Sequence, residues 1–372
     1  MITVSMTRTM ERDCLRAPLE LAYPAYLADE GVVAPPGLDV LQGPIPRVRQ
    51  ADHFRLVHER NLHVVGFRAL LTQDRRLLLD ESEVEPFDTA KILDKLTGAQ
   101  SEDSIIRAAD DGVEVMLGDD VVEIDEPVIF AGSDEPSNFG SWLYRILPKL
   151  IDSPYGDYPV LVYNYAPWMN ALADQVFDGR VRFIGHPIPR PCRLREALVP
   201  SLRNVDVYFD AGAKAFYERA ADLRKGGSGR EKIYLSRRGQ AIRPLLNEGA
   251  LEERLSGLGF HIVQPEKLPF NDQIALMRDA RVIVCPGGSG LFSTVFAGAA
   301  EFVLDLEAGT DWLYAHHNLL RSTAKRHTIL FGAREAGHDG PHAPWRVDIN
   351  AVVQALAHAG ASTSPRTRIG CI

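Results

Sequence analysis

From Pro127 onward, short apolar runs alternate with stretches of helical spacing, and this alternation constrains the fold more than any other feature of the chain. "PVIFAG" (127–132) and "YPVLVYN" (158–164) read as buried strands, with "NFGSWLYRILPKLI" (138–151) between them as an apolar helix. The helix-like "WMNALADQVF" (168–177) and the runs "RVRFIG" (180–185) and "REALVP" (195–200) continue the pattern, which is that of a parallel, doubly wound sheet. A long polar-faced helix, "DAGAKAFYERAADLRK" (210–225), then runs into "GGSGRE", whose composition marks a flexible joint near residue 228.

Past the joint the alternation restarts. Strand "KIYLS" (232–236), a helix near 244–258, strand "HIVQP" (261–265), helix "NDQIALMRDA" (271–280), strand "RVIVC" (281–285), helix "LFSTVFAGA" (291–299) and strand "EFVLDL" (301–306) follow in order. The expected fold class is therefore α/β, with two Rossmann-like doubly wound domains and a cleft at the carboxyl ends of their strands. The division expected is an N-terminal arm and β-hairpin region over 1–100, one Rossmann-like domain over 101–227, a second over 228–345, and a C-terminal helix and tail over 346–372.

The first 60 residues, with "VVAPPGLDVLQGPIPRVRQ", are too rich in Pro and Gly for long helices and read as an irregular arm. "LHVVGFRALLTQDRRLLLDES" (62–82) predicts a β-hairpin around "TQDRR", and "TAKILDKL" a short helix. A length of 372 residues suits about two domains. The net charge of −9 excludes a protein that holds nucleic acid by broad electrostatic attraction. Four scattered cysteines form no CxxC pair, which fits a reducing cytosol better than a zinc knuckle or a disulfide framework. Neither a signal peptide nor a membrane span is legible, so a soluble, cytoplasmic protein is expected, touching the inner membrane face at most peripherally.

"VIVCPGGSGLFS" carries the first chemical signal. Pro286 breaks the strand, Gly287, Gly288 and Gly290 open backbone conformations closed to other residues, and a helix is expected to start directly after. Free N–H groups of the loop, Ser289 included, would then face an anion above the strand. An empty strand-to-helix turn has the same sequence. No Lys-Ser/Thr follows, so the loop is not a P-loop. Gly288 and Gly290, trailed by Asp305 and Glu307 at the end of the next strand, also keep a dinucleotide site open, and with it an NAD-dependent oxidoreductase. Such a fingerprint normally opens its domain, whereas two strand–helix units precede this one.

The second signal is "YLSRRGQAIRPLLNEGALEERL" (234–255), which puts Arg237, Arg238 and Arg243 in the loop after a strand. Guanidinium groups match phosphate oxygens bidentately, so Arg237 and Arg243 are candidate partners for a pyrophosphate at the glycine loop. A solvated basic loop is the plain alternative. Asn247 and Glu248 follow, able to bond a ribose, a base or the arginines themselves.

Taken together, residues 234–307 resemble the donor half of family 61 glycosyltransferases, whose bacterial members are often labelled capsular polysaccharide biosynthesis proteins. The shared order is Ser-Arg, a further Arg, Asn-Glu, Pro-Glu before a helix, the Pro-Gly-rich loop and an acid-tipped strand. "NFGSWLYRILPKL" (138–150) is similar to the family's acceptor-side motif, and the hairpin to its hairpin, so the resemblance spans roughly 62–345. It implies a GT-B-like pair of domains, inverting transfer from a nucleotide-sugar to a polysaccharide or glycolipid-precursor acceptor, and no bound metal or cofactor. It makes Arg237, Arg243, Asn247, Glu248, Gly287, Gly288, Ser289 and Gly290 donor contacts, with Asp305 and Glu307 by the ribose or bracing the site, and Asn138, Ser141 and Trp142 acceptor-side residues. Many members carry histidine before the Trp of the acceptor motif and inside the Pro-x-Gly loop, where this chain has Ser141 and Gly287. Those base assignments therefore do not transfer, and an inactive nucleotide-sugar-binding protein is a further alternative. Inverting transfer needs a base at the acceptor hydroxyl. The catalytic candidates are Asp134, with Glu135 beside it, and His316.

Overall fold

The computed structural model describes residues 2–5, 56–67, 69–74, 77–78, 104–109, 112–117, 121–133, 135–163, 165–186, 192–203, 207–224, 227–309, 311–338 and 340–361. Most of the expected N-terminal arm and the helix expected at "TAKILDKL" lie outside them, as do Asp134 and the tail from 362. The described residues are mixed α/β and divide into two compact units, one up to residue 220 and the other from 221 on.

In the first unit β1 (Ile2–Ser5), β5 (Ser104–Ala109) and β6 (Gly112–Leu117) form a small antiparallel sheet in the order β1-β6-β5. The larger sheet contains β2 (Leu56–Val65), β3 (Ala69–Leu71), β4 (Leu77–Leu78), β7 (Val122–Ile124), β8 (Val128–Phe130), β9 (Val160–Tyr163), β10 (Phe183–His186) and β11 (Cys192–Pro200). Its order is β10-β9-β8-β11-β2-β3-β4, with β7 also on β11. Every residue of "VIF" in β8 and "VLVY" in β9 is buried, as parallel strands covered on both faces require. The hairpin expected around "TQDRR" is present as β3–β4, and a further turn at Gly66 (φ 59°) pairs β2 with β3. It does not stand apart from the strands that follow, because β2 runs antiparallel to β11 from Leu56↔Pro200 to Val64↔Cys192.

Helix α1 (139–150) is capped by Asn138, whose Oδ1 accepts from Ser141 N–H at 3.1 Å. Its middle, Trp142–Ile146, is a π-turn in which Leu147 N–H reaches Trp142 O, and the widened turn ends just before Pro148, which has no N–H to donate. Helix α2 (Pro167–Phe177) starts on proline and stops at Asp178 in left-handed conformation (φ 54°), followed by Gly179 (φ 67°). Helix α3 (Ala211–Asp222) is capped by Asp210, which accepts from Gly212 and Ala213 N–H. Buried Arg203 clamps that cap through Nε to Asp210 Oδ2 at 2.6 Å, and also pairs with Asp152.

The second unit is a five-stranded parallel sheet made of β12 (Lys232–Leu235), β13 (His261–Val263), β14 (Val282–Pro286), β15 (Phe302–Glu307) and β16 (His327–Phe331), in the order β13-β12-β14-β15-β16. Between the strands come α4 (Glu248–Gly257), α5 (Phe270–Asp279), a 3-10 helix (Ser289–Phe296) and α6 (Leu313–Thr323). A two-stranded ribbon, β17 (Ala333–Arg334) with β18 (Trp345–Arg346), and α7 (Ile349–Ala361) complete it. Tyr234, Leu251, Val284, Leu304, Leu330, Trp345 and Val352 share one core.

Three local expectations change. The segment after the glycine loop is a 3-10 helix, not an α-helix, in keeping with β-branched Thr294 and Val295 near its end. Helix α4 starts at Glu248, not near Pro244, because Pro244–Leu246 lies extended along Trp345: Trp345 N–H bonds Pro244 O and Leu246 N–H bonds Trp345 O. The segment at 228 is anchored within the second unit, with Ser228 N–H on Asp279 Oδ2 at 2.5 Å.

Candidate functional site

In the five-stranded sheet the chain leaves β12 for β13 on one side and then returns to place β14 on the other. A reversal of this kind opens a crevice above the carboxyl ends of the two central strands, which is where open α/β sheets take ligands. The loops that flank it are those of Arg237–Arg243 and Gly287–Gly290.

Arg237 follows directly on β12. Its main-chain N–H donates to Glu248 Oε1 at 2.7 Å, and the same oxygen accepts from Tyr234 OH at 2.9 Å. Glu248 is buried, and desolvation raises its pKa. One turn along α4, Glu252 accepts from Ser236 Oγ at 2.6 Å and pairs with Arg238 at 3.0 Å. Glu248 and Glu252 therefore fix the start of the arginine loop. Arg243 turns the chain through left-handed conformation (φ 54°) and is itself buried. Arg237 Nη1 at 3.0 Å and Arg243 Nη2 at 2.5 Å both donate to Gly287 O, so two guanidinium groups converge on the glycine loop. Burial first, and then the charge of Arg243, lower the pKa of Arg237. Two cations held this close in a partly desolvated place favour an anion between them.

The glycines are required for this approach. Gly288 has φ 146°, and a Cβ there would lie 2.9 Å from Arg243 Nη2 and 3.2 Å from Arg237 Cζ. At Gly287 a Cβ would lie 2.5 Å from the carboxyl carbon of Glu307. Gly287 N–H continues the sheet by bonding Leu306 O, and Leu291 N–H bonds Gly288 O. Among the described residues, no acceptor is found for the N–H groups of Gly288, Ser289 and Gly290. Three main-chain donors and two guanidinium groups thus gather at one loop, an arrangement chemically able to cradle an anion.

Beneath the cradle lie Asp305, Glu307 and His316, all buried. His316 Nδ1 bonds Glu307 Oε1 and sits 3.3 Å from Asp305 Oδ2, while Arg243 Nη1 lies 3.8 Å from Glu307 Oε2. Burial, then the charge of Glu307, lifts Asp305 to about 6. For His316 burial acts downward, but the charges of Glu307 and Asp305 outweigh it and raise the ring to about 10. The three side chains offer ligand atoms within 4.8 Å of one another, so they are also the described group able to hold a metal ion.

The remaining sequence candidates have other partners. Asn247 spends its amide on the main chain of Val347, donating to O at 2.8 Å and accepting from N–H at 3.2 Å, which braces α4 against the segment after β18. In the first unit Asn138 caps α1, and Ser141 Oγ bonds Ser133 Oγ at 2.6 Å out of reach of solvent. Trp142 is fully buried, with Nε1 on Pro136 O at 2.8 Å and its ring against Trp168 and Phe183. Asp134 lies outside the described residues. The sequence reading missed Glu252 and Tyr234 as supports of the arginine loop. The four-residue spacing of Glu248 and Glu252, which puts both acids on one helix face, was the available signal.

No curated protein matches the chain at a significant level. A family model described as Glycosyltransferase 61 matches residues 139–303, from α1 through the arginine and glycine loops into β15, and stops just short of Asp305, Glu307 and His316. The arginine and glycine loops lie inside that match, which covers under half of the chain; residues 139–303 are similar to glycosyltransferase family 61, and the chain is a glycosyltransferase.

Proposed function

We propose that the chain transfers a sugar, with inversion at the anomeric carbon, from a nucleoside-diphosphate sugar to a hydroxyl of a polysaccharide or glycolipid precursor. The setting proposed is bacterial capsular or related polysaccharide assembly in the cytoplasm, with at most peripheral contact at the inner membrane face. The single observation that carries this reading is the convergence of Arg237, Arg243 and the N–H groups of Gly288, Ser289 and Gly290 above the strand reversal of the second unit.

Cleavage of a nucleotide-sugar leaves its negative charge on the diphosphate, and catalysis requires positive charge and preorganised donors at that point. Guanidinium groups and main-chain donors supply both, which is the basis for proposing that transfer needs no bound metal or other cofactor. In this reading the second unit is the donor half of a GT-B-like pair, Glu248 sets Arg237, Asn247 braces the helix behind it, and the first unit carries the acceptor side, with Asn138 capping α1 and buried Ser141 and Trp142 supporting that helix from within. A carboxylate at Asp134 or Glu135 receives the acceptor proton. The oxidoreductase reading needs Asp305 or Glu307 free for a ribose, whereas both face His316 in the interior.

A thermal-shift screen against UDP-, GDP-, dTDP- and CMP-sugars, with the free nucleotides alongside, tests the proposal. At least one nucleoside-diphosphate sugar is expected to raise Tm, and Arg237→Gln to abolish that shift while leaving the apo Tm within a few degrees. Absence of a shift across the panel would overturn the donor assignment. Binding without release of nucleoside diphosphate on any acceptor tried would mark the chain as a binding protein.

A further inference from the structure

Beneath the glycine loop the interior holds a charge that hydrogen bonding leaves unmet. Asp305 and Glu307 are two residues apart on β15, so their side chains leave the same face of the strand, and His316 meets them from α6. Neither carboxylate oxygen of Asp305 has a hydrogen-bond partner, and the residue is 0% exposed. Both acids are approached by the same ring nitrogen: Nδ1 of His316 bonds Glu307 Oε1 and stands 3.3 Å from Asp305 Oδ2. A hydrogen bond from one nitrogen serves one acid and leaves the other a buried carboxylate without a partner.

A cation serves both. Zinc and similar divalent ions hold imidazole nitrogen and carboxylate oxygen at about 2.0–2.2 Å, which sets ligand atoms about 3.4 Å apart around a tetrahedral centre. The 3.3 Å between Nδ1 and Asp305 Oδ2 matches that spacing and is longer than a good hydrogen bond. Ligand atoms of all three residues lie within 4.8 Å of one another, so small carboxylate rotations close the set. Asp305 brings two uncommitted oxygens, enough to complete four-coordination by chelation. Glu307 divides its pair: Oε1 faces His316, while Oε2 lies 3.8 Å from Arg243, so the arginine of the glycine loop keeps its partner. The edge of the Phe292 ring walls the imidazole from the 3-10 helix. Cys285, opposite Asp305 in the ladder, has its thiol on Pro286 O at 3.2 Å and stays outside the set.

We propose that Asp305, Glu307 and His316 form a binding site for one divalent transition-metal ion, zinc in preference to magnesium, which pins α6 to β15 and fixes Glu307 under Gly287. An imidazole among the ligands and burial from water suit zinc, whereas magnesium favours an all-oxygen shell and keeps several waters. The ion is structural: it touches protein atoms alone, below the loop, and takes no part in breaking the sugar–phosphate bond. The site stands independently of the nucleotide-sugar reading.

Metal analysis of the untagged, intact chain, stripped with a chelator and then dialysed against zinc, tests this. About one zinc per chain is expected to remain once free metal is removed, and loading is expected to raise Tm by at least about 5 °C. Asp305→Asn and His316→Gln are expected to lose both the zinc and the shift. His327→Phe is expected to keep both, since the facing pair of His317 and His327 gains no third ligand among the described residues. X-ray absorption at the zinc edge of the wild-type chain covers the case in which the site variants fail to fold, and is expected to show one imidazole nitrogen with carboxylate oxygens. Sulfur, or two or more imidazoles, around the metal overturns the assignment, as does full zinc retention in folded His316→Gln. So does a wild-type chain that retains neither zinc, cobalt nor manganese after dialysis at about 100 µM metal. A chain that holds zinc in this way and binds no nucleotide-sugar refutes the donor reading and leaves the metal site in place.

Discussion

Replacing Gly287 by alanine tests the packing of the whole site with one methyl group. The backbone at 287 is not in the left-handed region, so alanine meets no conformational penalty there and the cost comes from contact alone. That contact is severe, at 2.5 Å from the Glu307 carboxyl carbon and 2.9 Å from Oε2. A flexible surface carboxylate would swing away, but Glu307 is 1% exposed and tied to His316 and Arg243. Overpacking of a tight interior costs about 1–3 kcal/mol, and giving up a charge-assisted hydrogen bond about 1.5–3 kcal/mol. The expected loss is therefore roughly 3–5 kcal/mol, or on the order of 10 °C in the Tm of the second unit. Calorimetry on Gly287→Ala, Glu307→Ala and the double variant closes the cycle. Glu307→Ala should absorb the added methyl, giving a coupling energy of at least about 1.5 kcal/mol. Equal destabilisation by Gly287→Ala in both backgrounds would refute the reasoning, since the clash would then lie elsewhere.

Asn247→Ala removes both bonds to the Val347 main chain and should lower stability by about 1–3 kcal/mol, with faster amide exchange at Val347 as the local readout. A change confined to nucleotide affinity would instead place Asn247 on the donor. Arg203→Ala strands buried Asp210 and should cost about 3–5 kcal/mol by urea melts. His317 and His327 face each other at 3.0 Å, and burial first, with neighbouring charge second, lowers them to about 4 and about 3. Because the unfolded chain takes up their protons first, stability should hold above about pH 6.5 and fall below it, down to the folded values. The slope reaches at most about 1.4 kcal/mol per pH unit for each ring. Urea melts at pH 7 and 5 should show that fall, and a smaller one in His327→Phe.

The strands of the second unit were legible because they are continuous apolar runs: "KIYLS", "HIVQP", "RVIVC" and "EFVLDL" each lie within two residues of β12 to β15. The convergence of the arginine and glycine loops was also legible, since both follow strands and doubly wound sheets gather strand ends. What spacing could not show is what those side chains touch. The partner of Asn247 lies 100 residues along the chain, and the acids at 305 and 307 read as ribose contacts or braces of the site until His316 is folded onto them. Helix α4 was started four residues early because Pro244 is a good first-turn residue, a local preference overridden by pairing with Trp345. In the first unit the antiparallel pairing of β2 with β11 joins segments more than 100 residues apart, and no local signal encodes it.

The staple between Asn247 and Val347 bears on how this enzyme can be dissected. The family match ends at residue 303, inside β15, yet more than half of the buried residues that share the core of Tyr234 and Leu251 come after it, among them Leu304, Leu330, Trp345 and Val352. A protein trimmed to the matched segment would present half of β15 as a raw edge, lose the strand beside it, and leave the helix behind the arginine loop without its anchor. The smallest piece of this half with a prospect of folding alone is therefore set by α7, and runs to about residue 361.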